Sequence, residues 1–90
     1  MKKAIITVVG RDCVGIIAKV CTYLAESNIN ILDISQTIVG GYFNMMMVVD
    51  VAETAKSFDT VSGELAEVGT KIGCVIRIQL EDIFDMMHRI

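Results

Sequence analysis

Residues 29–51, INILDISQTIVGGYFNMMMVVDV, decide the fold, because they contain two strand-like segments joined by a pair of glycines. Residues 29–39 and 42–51 are rich in β-branched and other apolar side chains, as strands commonly are. Gly40 and Gly41 suit the positive φ angles that a two-residue hairpin turn requires. The stretch therefore predicts an antiparallel hairpin in the middle of the chain.

A helix is predicted on each side of this hairpin. Before it, apolar residues recur at three- and four-residue steps along a helix that ends near Ser27 and Asn28. These positions are Val14, Ile17, Val20, Cys21 and Leu24, and the opposite face carries Lys19, Thr22, Tyr23 and Glu26. After the hairpin the spacing returns, and Gly69 is the predicted C-terminal cap of the second helix. The apolar positions of this helix are Phe58, Val61, Leu65 and Val68.

Two further strands flank these elements. Residues 3–9, KAIITVV, are rich in β-branched side chains, and residues 72–80, IGCVIRIQL, place apolar side chains at every second position. The order is then strand, helix, strand, strand, helix, strand. Right-handed crossovers place both helices of such a chain on one face of a four-stranded antiparallel sheet. The sequence thus predicts an α+β, ferredoxin-like βαββαβ sandwich over residues 1–80.

The last segment, residues 81–90, is predicted to form a short C-terminal helix that extends the same domain. Its sequence, EDIFDMMHRI, begins with Glu81 and Asp82 and ends with basic residues, an arrangement that complements the helix dipole. The acidic pair is therefore explained without catalysis. Its apolar residues Ile83, Phe84 and Met87 would lie on one side.

The third strand carries apolar side chains on both faces. One face has Phe43, Met45, Met47, Val49 and Val51, and the other has Tyr42, Met46 and Val48. Methionines commonly fill irregular gaps in a core, and we favour this interpretation over a ligand role. Hydrophobic residues make up 53% of the chain even without its 7 glycines, whereas about 45 to 50% is usual with glycine included. We expect the C-terminal helix and a second copy of the chain to cover the second face.

Charge and composition exclude several classes of protein. The net charge is −3, whereas nucleic-acid binding depends on clustered Lys and Arg. No apolar run reaches membrane-spanning length, and the apolar start ends at Arg11 and Asp12 without a signal-peptide cleavage pattern. The three cysteines are odd in number and lack a CxxC pair, so we expect neither a disulfide framework nor a metal site. The sequence predicts a cytoplasmic protein with no nucleic-acid or membrane partner.

The sequence contains no recognisable catalytic constellation. It has one histidine, no Ser/His/Asp or Cys/His arrangement, and no glycine-rich phosphate loop followed by Lys-Ser/Thr. Cys13, near a helix start, would suit a redox sensor, but no second cysteine is close in sequence. His88 is interpreted as an exposed basic residue rather than a metal ligand. We therefore expect no enzymatic activity, no catalytic residue, no metal and no cofactor.

The corner between the first strand and the first helix, VGRDCVGIIA at residues 9–18, is polar and contains two glycines. Asp12 is predicted to be the N-cap of the helix, and Arg11 beside it to form a surface pair of little energetic weight. The backbone N–H groups near Cys13 to Ile16 would then suit an anion such as an amino-acid carboxylate. Most helix starts have a cap and bind nothing, so the residues alone leave both interpretations open.

Residues 8–35, VVGRDCVGIIAKVCTYLAESNINILDIS, resemble an ACT domain, the small-molecule regulatory module of amino-acid metabolism. The shared pattern is a strand that ends in a D/N-x-x-G-[IVL] corner, a helix, and a second strand that opens with N-[IV]. The matching residues are Asp12, Gly15, Ile16, Asn30 and Ile31. The resemblance extends over residues 1–80, and the whole chain resembles the free-standing single-ACT proteins of bacteria and archaea. One departure is Val14, because many such corners have proline before the glycine.

This resemblance implies an effector site between two subunits of a homodimer or higher homo-oligomer. The N–H groups of Gly15 and Ile16 would bind the carboxylate of an amino acid or similar metabolite, and Asp12 would pair with its ammonium. Asn30 and the backbone of Ile31 from the neighbouring subunit would hold the other polar atoms. Such a module would regulate a partner enzyme or transcription regulator. The alternative is an assembly subunit without a ligand.

Asp33 and Ser35 are interpreted as lying on a solvated strand face.

Overall fold

The computed structural model describes residues 1–11 and 15–82. Its elements are β1 (Lys3–Gly10), α1 (Ile16–Glu26), β2 (Asn30–Val39), β3 (Tyr42–Asp50), α2 (Phe58–Ile72) and β4 (Cys74–Leu80). The strands form one antiparallel sheet in the order β2-β3-β1-β4. The predicted βαββαβ fold is confirmed, whereas the predicted helix of residues 81–90 lies almost wholly outside the described residues. Within the described ranges, no helix is long and apolar enough to cross a membrane.

The central hairpin forms as its glycines predict. Gly40 and Gly41 have φ angles of 58° and 83°, and the flanking Val39 and Tyr42 face each other across the two strands. Further along, the register shifts by one residue between Ile31 and Asp33. Such a bulge bends the strand and increases its twist. The bulge therefore separates the first two residues of β2 from the rest of the strand.

The core lies between the sheet and the two helices. The predicted inner face of the third strand is confirmed, because Phe43, Met45, Met47, Val49 and Val51 are all buried. Two of the methionines thus fill the core, as expected, while Met46 on the opposite face is 42% exposed. Tyr42 on that face is 45% exposed. The third strand carries apolar side chains on both faces, and only one of these faces is fully covered.

The buried face of α1 differs in part from the prediction. Ile16, Val20 and Leu24 are its buried residues, while Ile17 and Cys21 are half-buried, and Val14 lies outside the described residues. Tyr23, which the helical spacing assigns to the polar face, packs partly against the core. The reason is that α1 contacts both the sheet and α2, so its covered surface is wider than a single apolar stripe.

The end of α2 lies four residues beyond the predicted cap. The helix continues to Ile72, and the left-handed cap is Gly73, with a φ of 79°. The assignment of Gly69 as the cap is therefore wrong, and so is the assignment of Ile72 to the last strand. Gly69 is instead buried within the helix, where an added Cβ would lie 2.7 Å from the carbonyl oxygen of Cys74. This glycine is required for close packing rather than for helix termination.

Candidate functional site

The corner between β1 and α1 is described at Gly10, at Arg11 and from Gly15 onward. The N-cap of α1 is Gly15, whose φ of 84° is left-handed and which forms no side-chain cap bond. The prediction that Asp12 is the N-cap is therefore wrong, because α1 begins only after this left-handed glycine. Residues 12–14 themselves lie outside the described residues. The redox interpretation of Cys13 and the pairing of Asp12 with Arg11 lie there too.

The hydrogen-bond donors of this corner come from the first turn of α1. The first backbone bond of the helix runs from the Lys19 N–H to the Gly15 carbonyl, at 2.9 Å. The N–H groups of Ile16, Ile17 and Ala18 therefore have no acceptor within the helix. The free donors of this turn therefore extend to Ala18, beyond the predicted residues 13–16, and Ile16 belongs to both sets, whereas residues 13 and 14 lie outside the described residues. The Ile16 side chain is buried in the core.

Arg11 adds a cation beside this corner. Its guanidinium carbon lies 5.5 Å from the centroid of the Tyr42 ring, which is within the range of a cation–π interaction. Tyr42 begins β3 directly after the two-glycine turn. The start of β3 therefore contacts the Arg11 side chain at the edge of the corner. The spacing of residues in the sequence did not indicate this contact.

Asn30 lies at the start of β2 and is exposed, with Asp50 as its cross-strand partner. The preceding turn ends α1 through two backbone bonds, from the N–H of Ile29 to Leu24 and from the N–H of Asn28 to Ala25. This pattern is a Schellman motif, in which asparagine replaces the usual glycine at the left-handed position. Asn28 has the corresponding φ of 59°. The end of α1 thus defines where β2 begins.

A hollow of about 390 Å³ lies beside Asn30. Its polar lining consists of Asn28, Asn30, Asp50 and Glu53, and its remaining lining of Cys21, Ala25, Ile29 and Ile31. Hydrogen bonds from the N–H groups of Ala52 and Lys2 lower the pKa of Asp50, which is therefore ionised at neutral pH. Sequence reasoning missed Asn28, which lies two residues before Asn30, and it missed Asp50 and Glu53, because only the pairing of β2 with β3 brings these two to Asn30.

The corner and Asn30 lie at opposite ends of the sheet. Gly10 faces Phe43 across β1 and β3, whereas Asn30 faces Asp50 across β2 and β3. The seven-residue separation along β3 corresponds to about 23 Å. One chain therefore does not bring Gly15 and Ile16 together with Asn30 and Ile31.

Asp33 and Ser35 are exposed, as expected for a solvated strand face.

Comparisons with known proteins agree with this architecture. A family model of the ACT domain matches residues 2–79. A UPF0237 protein of Bifidobacterium longum is 62% identical over 90 residues, and one of Methanocaldococcus jannaschii is 44% identical over 90 residues, each alignment covering 100% of both chains. The solved ACT domain protein from Streptococcus pneumoniae is 43% identical and superposes with a TM-score of 0.83, covering 93% of this chain and 94% of that one. This chain therefore belongs to the ACT domain family, as do free-standing relatives in bacteria and archaea.

Proposed function

We propose that this chain is a regulatory module that acts as a cytoplasmic homodimer and binds an amino acid or a similar metabolite. The ACT domain is in general a small-molecule-binding regulatory module. The bound metabolite would change how the module acts on a partner enzyme or transcription regulator. The observation that supports the proposal is that the corner and Asn30, which the ACT resemblance assigns to one site, lie at opposite ends of the sheet, so that a reversed second copy would bring one to the other.

An antiparallel pairing of two β2 strands would join these halves. β2 is an edge strand of ten residues, and nine of them are exposed. Such an edge offers unpaired N–H and C=O groups to another strand. A two-fold axis perpendicular to the sheet reverses the second copy, so that its Asn30 comes to the end where the first copy has Gly15 and Ile16. Each dimer would then contain two equivalent sites.

The side chains of β2 favour one register for this pairing. Ile34 and Ile38 are 41% and 70% exposed, and their partners Met47 and Phe43 place them on the helix side of the sheet. With Gln36 on the two-fold axis, Ile34 of each copy lies opposite Ile38 of the other. This register covers four isoleucines and keeps the two Asp33 carboxylates apart, since like charges directly opposite each other destabilise a sheet.

The chemistry of the joined site suits a zwitterion. The N–H groups of Gly15 and Ile16 would donate to the ligand carboxylate, which the positive end of the helix dipole also favours. Asp12 would pair with the ammonium. Asn30 and the backbone of Ile31 from the second copy would bind the remaining polar atoms. Because Gly15 and not Asp12 is the N-cap, the Asp12 carboxylate is not needed to cap α1.

Thermal unfolding against the twenty standard amino acids at about 10 mM tests this proposal. A ligand at 100 times its Kd adds about 2.7 kcal/mol of stability, a rise on the order of ten degrees for so small a domain. We expect one amino acid or a related group to raise the Tm, and Asn30→Ala to abolish the rise. Asn44→Ala, which removes the same side chain from the face of β3 away from the helices, is the control. No shift with any of the twenty would contradict the proposal.

An assembly subunit without a ligand is the second candidate. The face of the sheet away from the helices exposes apolar side chains, with Val9 at 43%, Met46 at 42% and Val75 at 56%. An exposed apolar patch of this kind is typical of protein contacts. This candidate predicts a stable oligomer or complex whose Tm no amino acid changes, so the same experiment separates the two.

A further inference from the structure

Four polar side chains from three elements meet where α1 ends. The Lys56 ammonium forms an ion pair with Glu64 of α2, with 2.7 Å between Nζ and Oε1. It also donates to Oγ of Ser27 at 3.1 Å. The Tyr23 hydroxyl donates to the same Glu64 oxygen at 2.7 Å. The cluster thus connects the end of α1, the helix α2, and the segment of residues 51–57 that joins β3 to α2.

Lys56 is the centre of this cluster. Its ammonium lies 4.9 Å from the centroid of the Tyr23 ring, so the charge also faces an aromatic surface. Two of its three donors have oxygen acceptors, one contributed by the end of α1 and one by α2. The hydrogen bond to Glu64 raises the pKa of Lys56 and lowers the pKa of Glu64. Both groups are therefore charged at neutral pH.

Ser27 connects the cluster to the candidate site. Among the described residues it is the only buried polar one, at 4% exposure, and Asn30 follows three residues later. Between them, Asn28 donates from Nδ2 to the backbone oxygen of Glu53 at 3.1 Å. Both contacts attach the turn to residues 51–57. The position of Asn30 therefore depends on a segment that is distant in sequence.

We propose that Lys56 is a positioning residue of the effector site: it holds the turn of residues 27–29 in the conformation that presents Asn30 to a ligand. This inference rests on the proposed function for the role of Asn30, whereas the hold on the turn requires no ligand. Lys56 does not line the hollow beside Asn30, so it acts through Ser27. Glu64 and Tyr23 in turn fix the ammonium.

Amide hydrogen exchange, measured without ligand, tests whether Lys56 holds the turn of residues 27–29 in its conformation. The amides to follow are those of Ser27, Asn28 and Ile29, whose hydrogens are bonded to carbonyls of α1. We expect Lys56→Met to speed their exchange about tenfold, while the amides in the middle of α1 keep the wild-type rate. Lys71→Met is the matched control, because it removes the same charge from the opposite end of α2.

Ser27→Ala tests the contact of Lys56 with the turn separately from its ion pair with Glu64. It removes the acceptor on the turn and leaves Lys56 bonded to Glu64, so we expect the same local increase in exchange. A uniform increase throughout α1 in Lys56→Met would instead indicate general destabilisation and would overturn the proposal. Wild-type exchange at the turn in Lys56→Met would overturn it as well.

Ligand affinity is the second readout. The probe is the standard amino acid that raises the wild-type Tm most, titrated well below the Tm of every variant. We expect Lys56→Met to weaken binding about tenfold, Lys56→Arg to restore most of the affinity, and Lys71→Met to have no effect. Faster exchange with unchanged affinity would overturn the positioning role. If no amino acid binds the wild type, the proposed function fails, and the exchange rates alone decide whether Lys56 holds the turn.

Discussion

Gly69 in α2 lies directly against Cys74 at the start of β4, so that a Cβ on Gly69 would be 2.7 Å from the carbonyl oxygen of Cys74. The next atoms, Cγ1 and N of Ile76, would be 3.1 Å and 3.3 Å away. Two of these three neighbours are backbone atoms, which cannot move aside as the end of a flexible side chain can. The close approach of α2 to β4 therefore requires a residue without a side chain at position 69.

We expect Gly69→Ala to lower the free energy of unfolding by about 1 to 3 kcal/mol, as overpacking commonly does. Gly63→Ala is the matched control in the same helix, because a Cβ there meets no atom of the described part of the chain within 4 Å. It should raise stability by about 0.5 to 1 kcal/mol, since alanine is the better helix former. Urea unfolding measures both changes. Equal effects of the two substitutions would contradict the packing argument.

The left-handed conformation of Gly15 gives a second prediction. Among the described residues, no atom lies within 4 Å of a Cβ built at this position, so the expected cost of an added side chain is backbone strain. We expect Gly15→Ala to lower stability by about 1 to 2 kcal/mol. Gly15→Asn should lose less, because asparagine tolerates positive φ better than alanine. Equal losses for Ala and Asn in urea unfolding would show that position 15 does not require this conformation.

Acid conditions should reveal the ion pair of Glu64. Hydrogen bonds from Lys56 and Tyr23 hold the pKa of Glu64 below its ordinary value of 4.5. A carboxyl whose pKa is lower in the folded chain binds fewer protons there, so its contribution to stability is present above pH 4.5 and is lost as the pH falls through the folded pKa. We expect Glu64→Gln to flatten the decrease in urea midpoint between about pH 5 and pH 3.

Two other carboxylates serve as references for this pH profile. Asp50 also has a lowered pKa, so part of the acid decrease should remain in Glu64→Gln. Glu67→Gln changes an exposed carboxylate in the same helix and should keep the wild-type profile. A Glu64→Gln profile parallel to that of the wild type over the whole range would show that the pair does not stabilise the folded chain.

The order of elements could be predicted from the sequence because each element has its own period and the two-glycine turn marks the centre. The boundary errors have two physical causes. A glycine required for close packing, Gly69, and a glycine required for positive φ, Gly73, look alike in one sequence. At the start of α1, Asp12 has a side chain that commonly caps a helix, but the left-handed Gly15 occupies that position.

The candidate site was only partly predictable for a different reason. Gly15, Ile16 and Asn30 could be singled out through the resemblance to ACT domains, but their separation follows from the direction of the strands that carry them. The contacts of Asn30 depend on strand pairing and on the segment before α2. Asp50 lies beside Asn30 because β2 pairs with β3, and Lys56 reaches Ser27 across 29 residues of sequence. No local pattern indicates such contacts.

The exposed edge of β2 leads to the last prediction, which concerns the dimer itself. If Gln36 lies on the two-fold axis, its Cα atoms in the two copies are about 4.5 to 5.5 Å apart, within the range that a disulfide can bridge. We therefore expect Gln36→Cys, with Cys13 and Cys21 replaced by serine, to form a covalent dimer under mild oxidation. Thr37→Cys is the matched control, because a displacement of one residue from the axis separates its two Cα atoms by about 8 Å. Cross-linking at Thr37 but not at Gln36 would exclude this register. A monomer in light scattering, without cross-linking at either position, would exclude the β2 dimer and with it the joined site.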